Sequence, residues 1–234
     1  MSLPALKREL RRYRSKEKAR LLQGFFKTGP GEYGEGDVFL GVMVPFVRKV
    51  VRQYRHLCAR ETLLLLKSPF HEERLSALLI MVSQFEKGDE RVKKQIYQRY
   101  LKNTRFINNW DLVDLTARQI VGAYLTDKDR APLYGLARSK NLWERRIAVI
   151  ATAFYIAKDE FKDTFCIARL LLNDRHDLIH KAVGWMLREV GKRNMPAEEA
   201  FLKKNHKKMP RTMLRYAIEK FPENKRKTYL KNSL

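Results

Sequence analysis

The feature that most constrains this chain is a helix opening that recurs about every 35 residues. A basic residue followed by an apolar run stands at Arg74, Arg146, Lys181 and Arg215, at intervals of 72, 35 and 34 residues. Because the first interval is about twice the others, a further opening is expected near residue 110. This period fits one helical hairpin, which buries its apolar face by stacking on a neighbour. The repeat predicts an all-α fold, an α-solenoid of HEAT/ARM-like helical hairpins.

The spacing of apolar residues supports helices along most of the chain, because they recur at intervals of three and four and strand-like alternation is scarce. Asn109 and Asn141 are predicted N-caps. We expect a single HEAT-like domain over residues 1–234, with an N-terminal helix and a glycine-rich loop in 1–37 and stacked repeats in 38–234. Several prolines stand where a first helical turn tolerates them, at Pro69, Pro132, Pro196 and Pro210.

The glycine-rich stretch from Gly29 to Asp37 is the only long irregular segment. It lacks the Gly-Lys-Ser/Thr that would complete a nucleotide-binding P-loop. We interpret it as a connector between the first helix and the repeats, with a DNA-contacting loop as the alternative.

The charge of the chain favours a polyanionic partner. Lys and Arg number 49 against 26 Asp and Glu, a formal net charge of +23. Each phosphate that a cation neutralises releases condensed counterions, so nucleic acid is the expected partner. The inner helices of a solenoid line a concave face, and we expect that face to be basic. Lys203-Lys-Asn-His-Lys-Lys208 and Asn224-Lys-Arg-Lys227 are interpreted as solvated charge.

Other classes of protein are disfavoured. No apolar run reaches the roughly 20 residues that span a bilayer, and the N-terminus lacks the apolar stretch of a signal peptide. The expected location is the cytoplasm, with nucleoid association on DNA binding, and the expected state is a monomer. Cys58 and Cys166 stand far apart outside any Cys-x-x-Cys pair. They are interpreted as reduced core residues, and neither a metal site nor a membrane partner is expected.

Trp110-Asp-Leu-Val-Asp114 places two carboxylates and a tryptophan in an otherwise basic protein. Trp110 and Asp114 share one helix face at i and i+4, at the edge of a stripe that includes Val113, so Asp114 should be partly sheltered. Asp111 should point elsewhere, as an acid favoured by the helix dipole. Asp114 is either a catalytic carboxylate or an ion-pair partner of Arg118.

Two further helices carry candidate residues. Arg146 should face the same side as Ile150, while Arg145 turns outward. In that position Arg146 holds a phosphate, anchors Asp114 or forms an inter-repeat salt bridge. On the next helix, Lys181, Trp185 and Arg188 fall together away from the core, which suits nucleotide contacts beside phosphate-binding cations or packing on a neighbouring helix. The buried stripe of that helix is predicted to consist of Ile179, Val183, Met186 and Val190.

These motifs resemble those of the AlkD-type DNA alkylation repair glycosylases, a family of HEAT-like repeats. The resemblance rests on Asn109-Trp-Asp-Leu-Val-Asp114, Leu142-Trp-Glu-Arg-Arg-Ile-Ala148, Ala182-Val-Gly-Trp-Met-Leu-Arg-Glu189 and the N-terminal stretch from Phe25 to Asp37. It implies excision of positively charged N3- and N7-alkylpurines without a metal or redox cofactor.

The resemblance also assigns residues. It makes Asp114 the catalytic carboxylate, Arg146 the active-site arginine, and Trp110 and Trp185 the aromatics that cradle the backbone of the lesion nucleotide. Phe25 corresponds to a family tyrosine but lacks the hydroxyl. Phe25 and Lys27, two residues on, are expected DNA contacts, as are Lys181 and Arg188.

The sequence therefore predicts a monofunctional alkylpurine DNA glycosylase of base excision repair, which hydrolyses the N-glycosidic bond of 3-methyladenine and 7-methylguanine in duplex DNA. The alternative is a non-catalytic HEAT-like scaffold that binds DNA or RNA through the same cations. A solenoid that binds an acidic protein partner is a third possibility.

Overall fold

The computed structural model of the protein describes residues 2–231, and over these residues it is helical, with one isolated β-bridge between Val38 and Phe70 as the only extended pairing. The all-α prediction is confirmed. The chain divides into two compact units, Met1–Thr116 and Ala117–Leu234. The expectation of a single domain stays a prediction, and each unit is described by itself.

The first unit is built around one long helix, α5, with α3, α4 and α6 packed on it. Residues on every side of α5 are buried, including its first four, which are all polar or charged. The helices of this unit are α1 (Leu3–Arg12), α2 (Lys16–Phe25), α3 (Val44–Tyr54), α4 (Ala59–Leu66), α5 (His71–Lys87), α6 (Glu90–Lys102), a 3-10 turn (Thr104–Phe106) and α7 (Trp110–Asp114).

The second unit is built around α12, which packs on α9, α11, α13 and α14. Its elements are a π-helical turn (Arg118–Gly122), α8 (Ala131–Ala137), α9 (Leu142–Ala151), α10 (Ala153–Ile156), α11 (Lys162–Leu170), α12 (Asp177–Arg193), α13 (Met195–Asn205), a 3-10 turn (His206–Lys208), α14 (Arg211–Ala217), a 3-10 turn (Ile218–Lys220) and α15 (Glu223–Lys231). In each unit, consecutive helices pack on one another, with α4 on α5 and α8 on α9, which is consistent with an α-solenoid.

The predicted helix signals agree with the structure. The side chains of Asn109 and Asn141 accept backbone N–H groups at the starts of α7 and α9. Pro132 and Pro196 occupy the first turn of their helices, and Pro210 is the residue before α14. The extra repeat expected near residue 110 opens at α7. The predicted stripe of α12 is buried throughout, at Ile179, Val183, Met186 and Val190.

Hydrogen bonds before two of the helices set the register of the repeat. Ser68 and Ser139 stand three residues before α5 and α9, and the hydroxyl of each accepts the backbone N–H two residues on. The carbonyl of each accepts a guanidinium N–H from the arginine six residues on, Arg74 at 3.1 Å and Arg145 at 3.0 Å. The same local sequence pattern therefore builds the same turn twice.

The third copy of this turn corrects the sequence alignment of the repeats. Asp174, three residues before α12, accepts the N–H two residues on, and its carbonyl accepts from Nε2 of His180 at 2.5 Å. Arg74 therefore corresponds to Arg145 and His180, and not to Arg146 as the repeat pattern in the sequence predicts. The sequence did not distinguish Arg145 from Arg146, because either residue fits a pattern of a basic residue followed by an apolar run.

A second set of equivalent positions follows from the helix bounds. Asp114, Arg146, Lys181 and Arg215 are each the fifth residue of their helix, in α7, α9, α12 and α14. The fifth residue of α5 is Leu75. One hairpin thus carries an acid where three others carry a base, as the sequence predicted for this repeat.

The cysteines differ from the prediction. Both are free, but Cys58 is exposed at the start of α4, where its thiol lies 3.4 Å from Oε2 of Glu61, and Cys166 is only half-buried. Neither is a core residue, because α4 and α11 turn these positions away from their packed faces.

Candidate functional site

The Trp110–Asp114 segment forms a single short helix, α7, whose start is fixed by a side-chain cap. Oδ1 of Asn109 accepts the backbone N–H of Trp110 at 2.8 Å. Leu112 and Val113 are buried, while Trp110 and Asp114 are half-buried. The partial shelter predicted for Asp114 is confirmed, and because the two residues are four apart in one helix, their side chains share a face.

Two aromatic residues from the end of α2 lie against Trp110. The ring of Phe26 stacks on the indole with centroids 5.1 Å apart, and the ring of Phe25 meets it edge-on at 5.8 Å. Phe26 is buried, but Phe25 is 62% exposed. The structure therefore brings Phe25, Trp110 and the helix that bears Asp114 together in the first unit, with an aromatic surface open to solvent.

Lys27 follows this aromatic pair and is exposed. Its backbone takes the left-handed conformation, with a φ of 53°, and its carbonyl accepts the N–H of Gly34 at 2.9 Å. A Cβ at Gly34 would lie 2.5 Å from the carbonyl oxygen of Phe26. The glycine-rich loop thus closes tightly on the residues that contact Trp110, and at position 34 only glycine fits.

Asp111 is directed to His71 on α5, which agrees with the prediction that it points elsewhere than Asp114. It is buried, and its Oδ2 lies 2.8 Å from Nε2 of His71 at the start of α5. Nδ1 of the same imidazole lies 2.9 Å from Oδ2 of Asp37, at the end of the glycine-rich loop. Asp37 also pairs with the buried guanidinium of Arg74. Four charged groups in a row therefore join α7, α5 and the loop.

The charges in this buried network balance. Burial alone would lower the pKa of His71, but the negative charges and hydrogen bonds of Asp111 and Asp37 outweigh it and raise that pKa from 6.5 to about 9. Burial would raise the pKa of Asp37, but the hydrogen bond from His71 and the charge of Arg74 lower it below 3.8. At neutral pH, two cations face two carboxylates.

The aromatic rings continue from Trp110 to this network. Phe26 stands between Trp110 and His71, with its ring centroid 5.1 Å from each. Phe39 stacks on both Phe26 and His71, at 5.1 and 4.5 Å. The orientation of Trp110 is therefore fixed by the ring of Phe26, which in turn packs on Phe39 and on the charged imidazole of His71. No role at the site was predicted for His71 or Arg74. The signal was four consecutive polar residues, from 71 to 74, ahead of a mostly apolar run in the same helix.

A second polar pair lies near Asp114. The hydroxyl of Tyr100 is within 2.9 Å of Oγ1 of Thr116, which donates to the carbonyl of Leu112 at 2.5 Å. Burial raises the pKa of Tyr100, and the negative charge of Asp114 raises it further. Asp114 therefore lies close enough to influence the charge of a buried tyrosine that stays protonated.

In the second unit, the two adjacent arginines of α9 are both engaged. Arg146 is buried, and its Nη1 donates to the carbonyl of Leu178, at the start of α12, at 2.6 Å. Arg145, predicted to turn outward, instead pairs with Asp174 at 2.7 Å. It does so because its position in the repeated turn directs it to the neighbouring hairpin.

The three candidates on α12 are half-buried, and each contacts a carboxylate. Lys181 pairs with Asp177 at 2.7 Å, and the indole N–H of Trp185 donates to Glu189 at 3.1 Å. Arg188 pairs with Glu219, and Glu189 lies 3.6 Å away from it. The predicted grouping on one side of α12 is present, but these cations are partly neutralised.

The comparisons with known proteins agree with this architecture. The profile described as DNA alkylation repair enzyme matches residues 6–221, nearly the whole chain. The chain belongs to the DNA alkylation repair enzyme family. A solved structure titled as a predicted DNA alkylation repair enzyme from Enterococcus faecalis has a similar fold, with a TM-score of 0.68 at 15% identity over 90% of this chain and 97% of that one. A search of curated proteins gave no match.

Membership of the DNA alkylation repair family gives the chain a role in DNA repair and makes DNA its partner. Within residues 2–231, no three metal-ligating side chains come together as a metal site would require. The same residues include no helix long and apolar enough to cross a membrane.

Proposed function

We propose that this DNA alkylation repair protein is a monofunctional DNA glycosylase that excises N3- and N7-alkylated purines from duplex DNA. The observation that carries the proposal is the half-buried carboxylate of Asp114, on the same helix face as Trp110, beside the exposed ring of Phe25. An aromatic surface with one carboxylate suits a nucleotide that acquires positive charge during reaction.

The reaction does not require the protein to protonate the leaving base. An N3- or N7-alkylpurine is already cationic, so it leaves without a strong general acid. As the N-glycosidic bond breaks, positive charge develops on the sugar, and a nearby carboxylate stabilises that charge. Water then adds to C1′ of the sugar and gives up a proton, which leaves an abasic site and the free base. Asp114 both stabilises the sugar and orients this water, and neither a metal nor a redox cofactor is required.

The other residues serve binding in this proposal. In the first unit Trp110 contacts the backbone of the lesion nucleotide, and in the second unit Trp185 and Arg146 contact the DNA backbone. Phe25, Lys27, Lys181 and Arg188 contact the DNA. The buried network of Asp111, His71, Asp37 and Arg74 supports Trp110 from behind. Because Asp111 is buried and paired in this network, Asp114 is the carboxylate of α7 that remains partly exposed.

The test is release of 7-methylguanine and 3-methyladenine from methylated duplex DNA by the wild type and by Asp114→Asn. This substitution keeps the shape of the side chain and removes its charge. We expect the rate of release to fall by roughly 100- to 1,000-fold, as when one stabilising group is removed from a developing charge. The affinity for undamaged duplex should change little.

Asp127→Asn is the matched control, because Asp127 is exposed in the second unit, and it should release base at the wild-type rate. Asp111→Asn is unsuitable as a control because it breaks the pair with His71. Absence of base release by the wild type, with DNA binding retained, would replace the proposal by the non-catalytic scaffold.

A further inference from the structure

A cluster of four lysines marks a second surface of interest, in the last turn of α13 and the 3-10 turn that follows it. Lys203 and Lys204 lie in the last turn of α13, and Lys207 and Lys208 lie in the 3-10 turn that follows. All four are exposed. Together with His206 they line one cleft of about 500 Å³. Four lysines thus line one concavity of the second unit.

Among the described residues, the four lysines have no acidic partner, unlike four other lysines of the second unit. Lys181, Lys192, Lys220 and Lys225 each pair with a carboxylate. Within the described range of 2–231, no carboxylate pairs with the four lysines of the cleft. The partial negative charge at the end of a helix accounts for Lys203 and Lys204. It does not account for the other two, which lie beyond α13.

The conformation of the turn does not require lysine. In the first unit, the turn after α6 has the same form: Nδ2 of Asn103 donates to the carbonyl four residues earlier at 2.7 Å, and a 3-10 turn follows. Asn205 makes the same bond, also at 2.7 Å. The positions equivalent to the four lysines are occupied by Leu101, Lys102, Arg105 and Phe106. The second unit therefore carries extra cations on a turn that folds without them.

The backbone that bears these lysines is fixed. The ring of His206 is buried, Nδ1 donates to the carbonyl of Leu202 at 2.9 Å, and the ring of Tyr229 packs edge-on at 5.6 Å. Nε2 of His206 is buried and has no hydrogen-bond partner within residues 2–231. A fixed turn holds the mutually repelling ammonium groups around the cleft, and a bound anion would relieve that repulsion.

We propose that the cleft lined by Lys203, Lys204, Lys207 and Lys208 binds the phosphodiester backbone of DNA, as an anchor distinct from the residues assigned to base release. DNA is the polyanion that family membership supplies. Lysine ammonium groups are point charges that contact phosphates without reading bases. The site should therefore add affinity that is strongly salt-dependent and indifferent to sequence and to lesions.

The test measures binding of an undamaged duplex as a function of KCl concentration, with the wild type and a variant in which all four lysines become glutamine. Each lost phosphate contact should lower the slope of log K against log salt by about 0.9, and loss of all four should weaken binding by roughly 100- to 1,000-fold near 0.15 M salt. The matched control neutralises four exposed cations of α5 and α6, namely Lys87, Arg91, Lys94 and Lys102. We expect the control to change the slope by less than one unit.

Equal losses in the two variants would overturn the proposal, because net charge alone would then explain the result. An unchanged slope in the four-lysine variant would also overturn it. A third arm uses inorganic pyrophosphate: loss of pyrophosphate binding with DNA binding intact would assign the cleft to a small anion instead. Because the duplex is undamaged, the binding result does not depend on whether the protein releases alkylated bases. Circular dichroism of each variant verifies that these exposed substitutions leave the fold intact.

Discussion

The starts of α5 and α9 have the same local structure but different surroundings. At each, a serine hydroxyl donates to the glutamate five residues on, from Ser68 to Glu73 at 2.7 Å and from Ser139 to Glu144 at 2.6 Å. The arginine that follows the glutamate returns to the serine carbonyl in both. A short sequence pattern therefore repeats as a complete hydrogen-bonded turn.

The two turns differ in what the rest of the chain adds. Arg74 is buried and pairs with the buried carboxylate of Asp37 in the glycine-rich loop. Arg145 keeps a partly exposed side chain and pairs with Asp174 of the next hairpin. The first arginine holds the loop that closes on the aromatic residues beside Trp110, whereas the second joins neighbouring repeats. The same turn thus supports the candidate site in one unit and the stacking of repeats in the other.

The largest expected difference is in the cost of losing each arginine. Arg74→Gln leaves the carboxylate of Asp37 buried with half of its charge compensation gone, which should lower the free energy of unfolding by about 3–5 kcal/mol. Arg145→Gln breaks a pair whose arginine side chain is 17% exposed and should cost less, about 1–2 kcal/mol. Urea unfolding of both variants at pH 7 measures the two values. Equal costs would mean that the buried network adds nothing to the shared turn.

A second expected difference is in the dependence of stability on pH, because α5 begins with His71 where α9 begins with Leu142. The neighbouring carboxylates raise the pKa of His71 from 6.5 to about 9 in the folded chain despite its burial. The folded state therefore holds a proton that the unfolded state releases. This stabilisation is complete below pH 6.5 and is lost as the pH rises through 9.

Unfolding of wild type and His71→Gln at several pH values measures this contribution. The stability advantage of the wild type should shrink between pH 6.5 and 9 by an amount on the order of 3 kcal/mol. Taking the difference between the two proteins removes the effect of Glu198, whose pKa burial also raises to about 9 and which titrates in both. A constant difference over this range would show that His71 is neutral in its pocket.

The smallest expected difference concerns the two serines. Ser68→Ala removes a buried hydroxyl and leaves the N–H of Phe70 without its acceptor, which should cost about 1–2 kcal/mol. Ser139→Ala does the same at a half-buried position, where water replaces the lost bond, and should cost about 0.5–1 kcal/mol. Thermal unfolding compares them, and a larger loss for Ser139→Ala would contradict the importance of burial.

Sequence patterns alone predicted much of the helical framework. The apolar stripe of α12, the caps at Asn109 and Asn141 and the opening of a repeat at Trp110 follow from contacts within a few residues of the chain. The half-buried position of Asp114 also followed, because residues four apart in a helix share a face. Local periodicity and local hydrogen bonding carry this information, so a sequence is sufficient to read it.

The tertiary structure decided which polar residues are buried together. His71 lies 34 residues from Asp37 and 40 residues from Asp111, and no local pattern relates them. A first-turn acid such as Asp111 satisfies the helix dipole equally well in solvent or in a buried pair. The register of the repeats was ambiguous in the sequence, because Arg145 and Arg146 fit the pattern equally well. The contacts of Arg74 and Arg145 with the serine carbonyls settled it. Helix periodicity is a local property, whereas the choice of partner for a buried charge depends on which distant segments the fold brings within hydrogen-bonding distance.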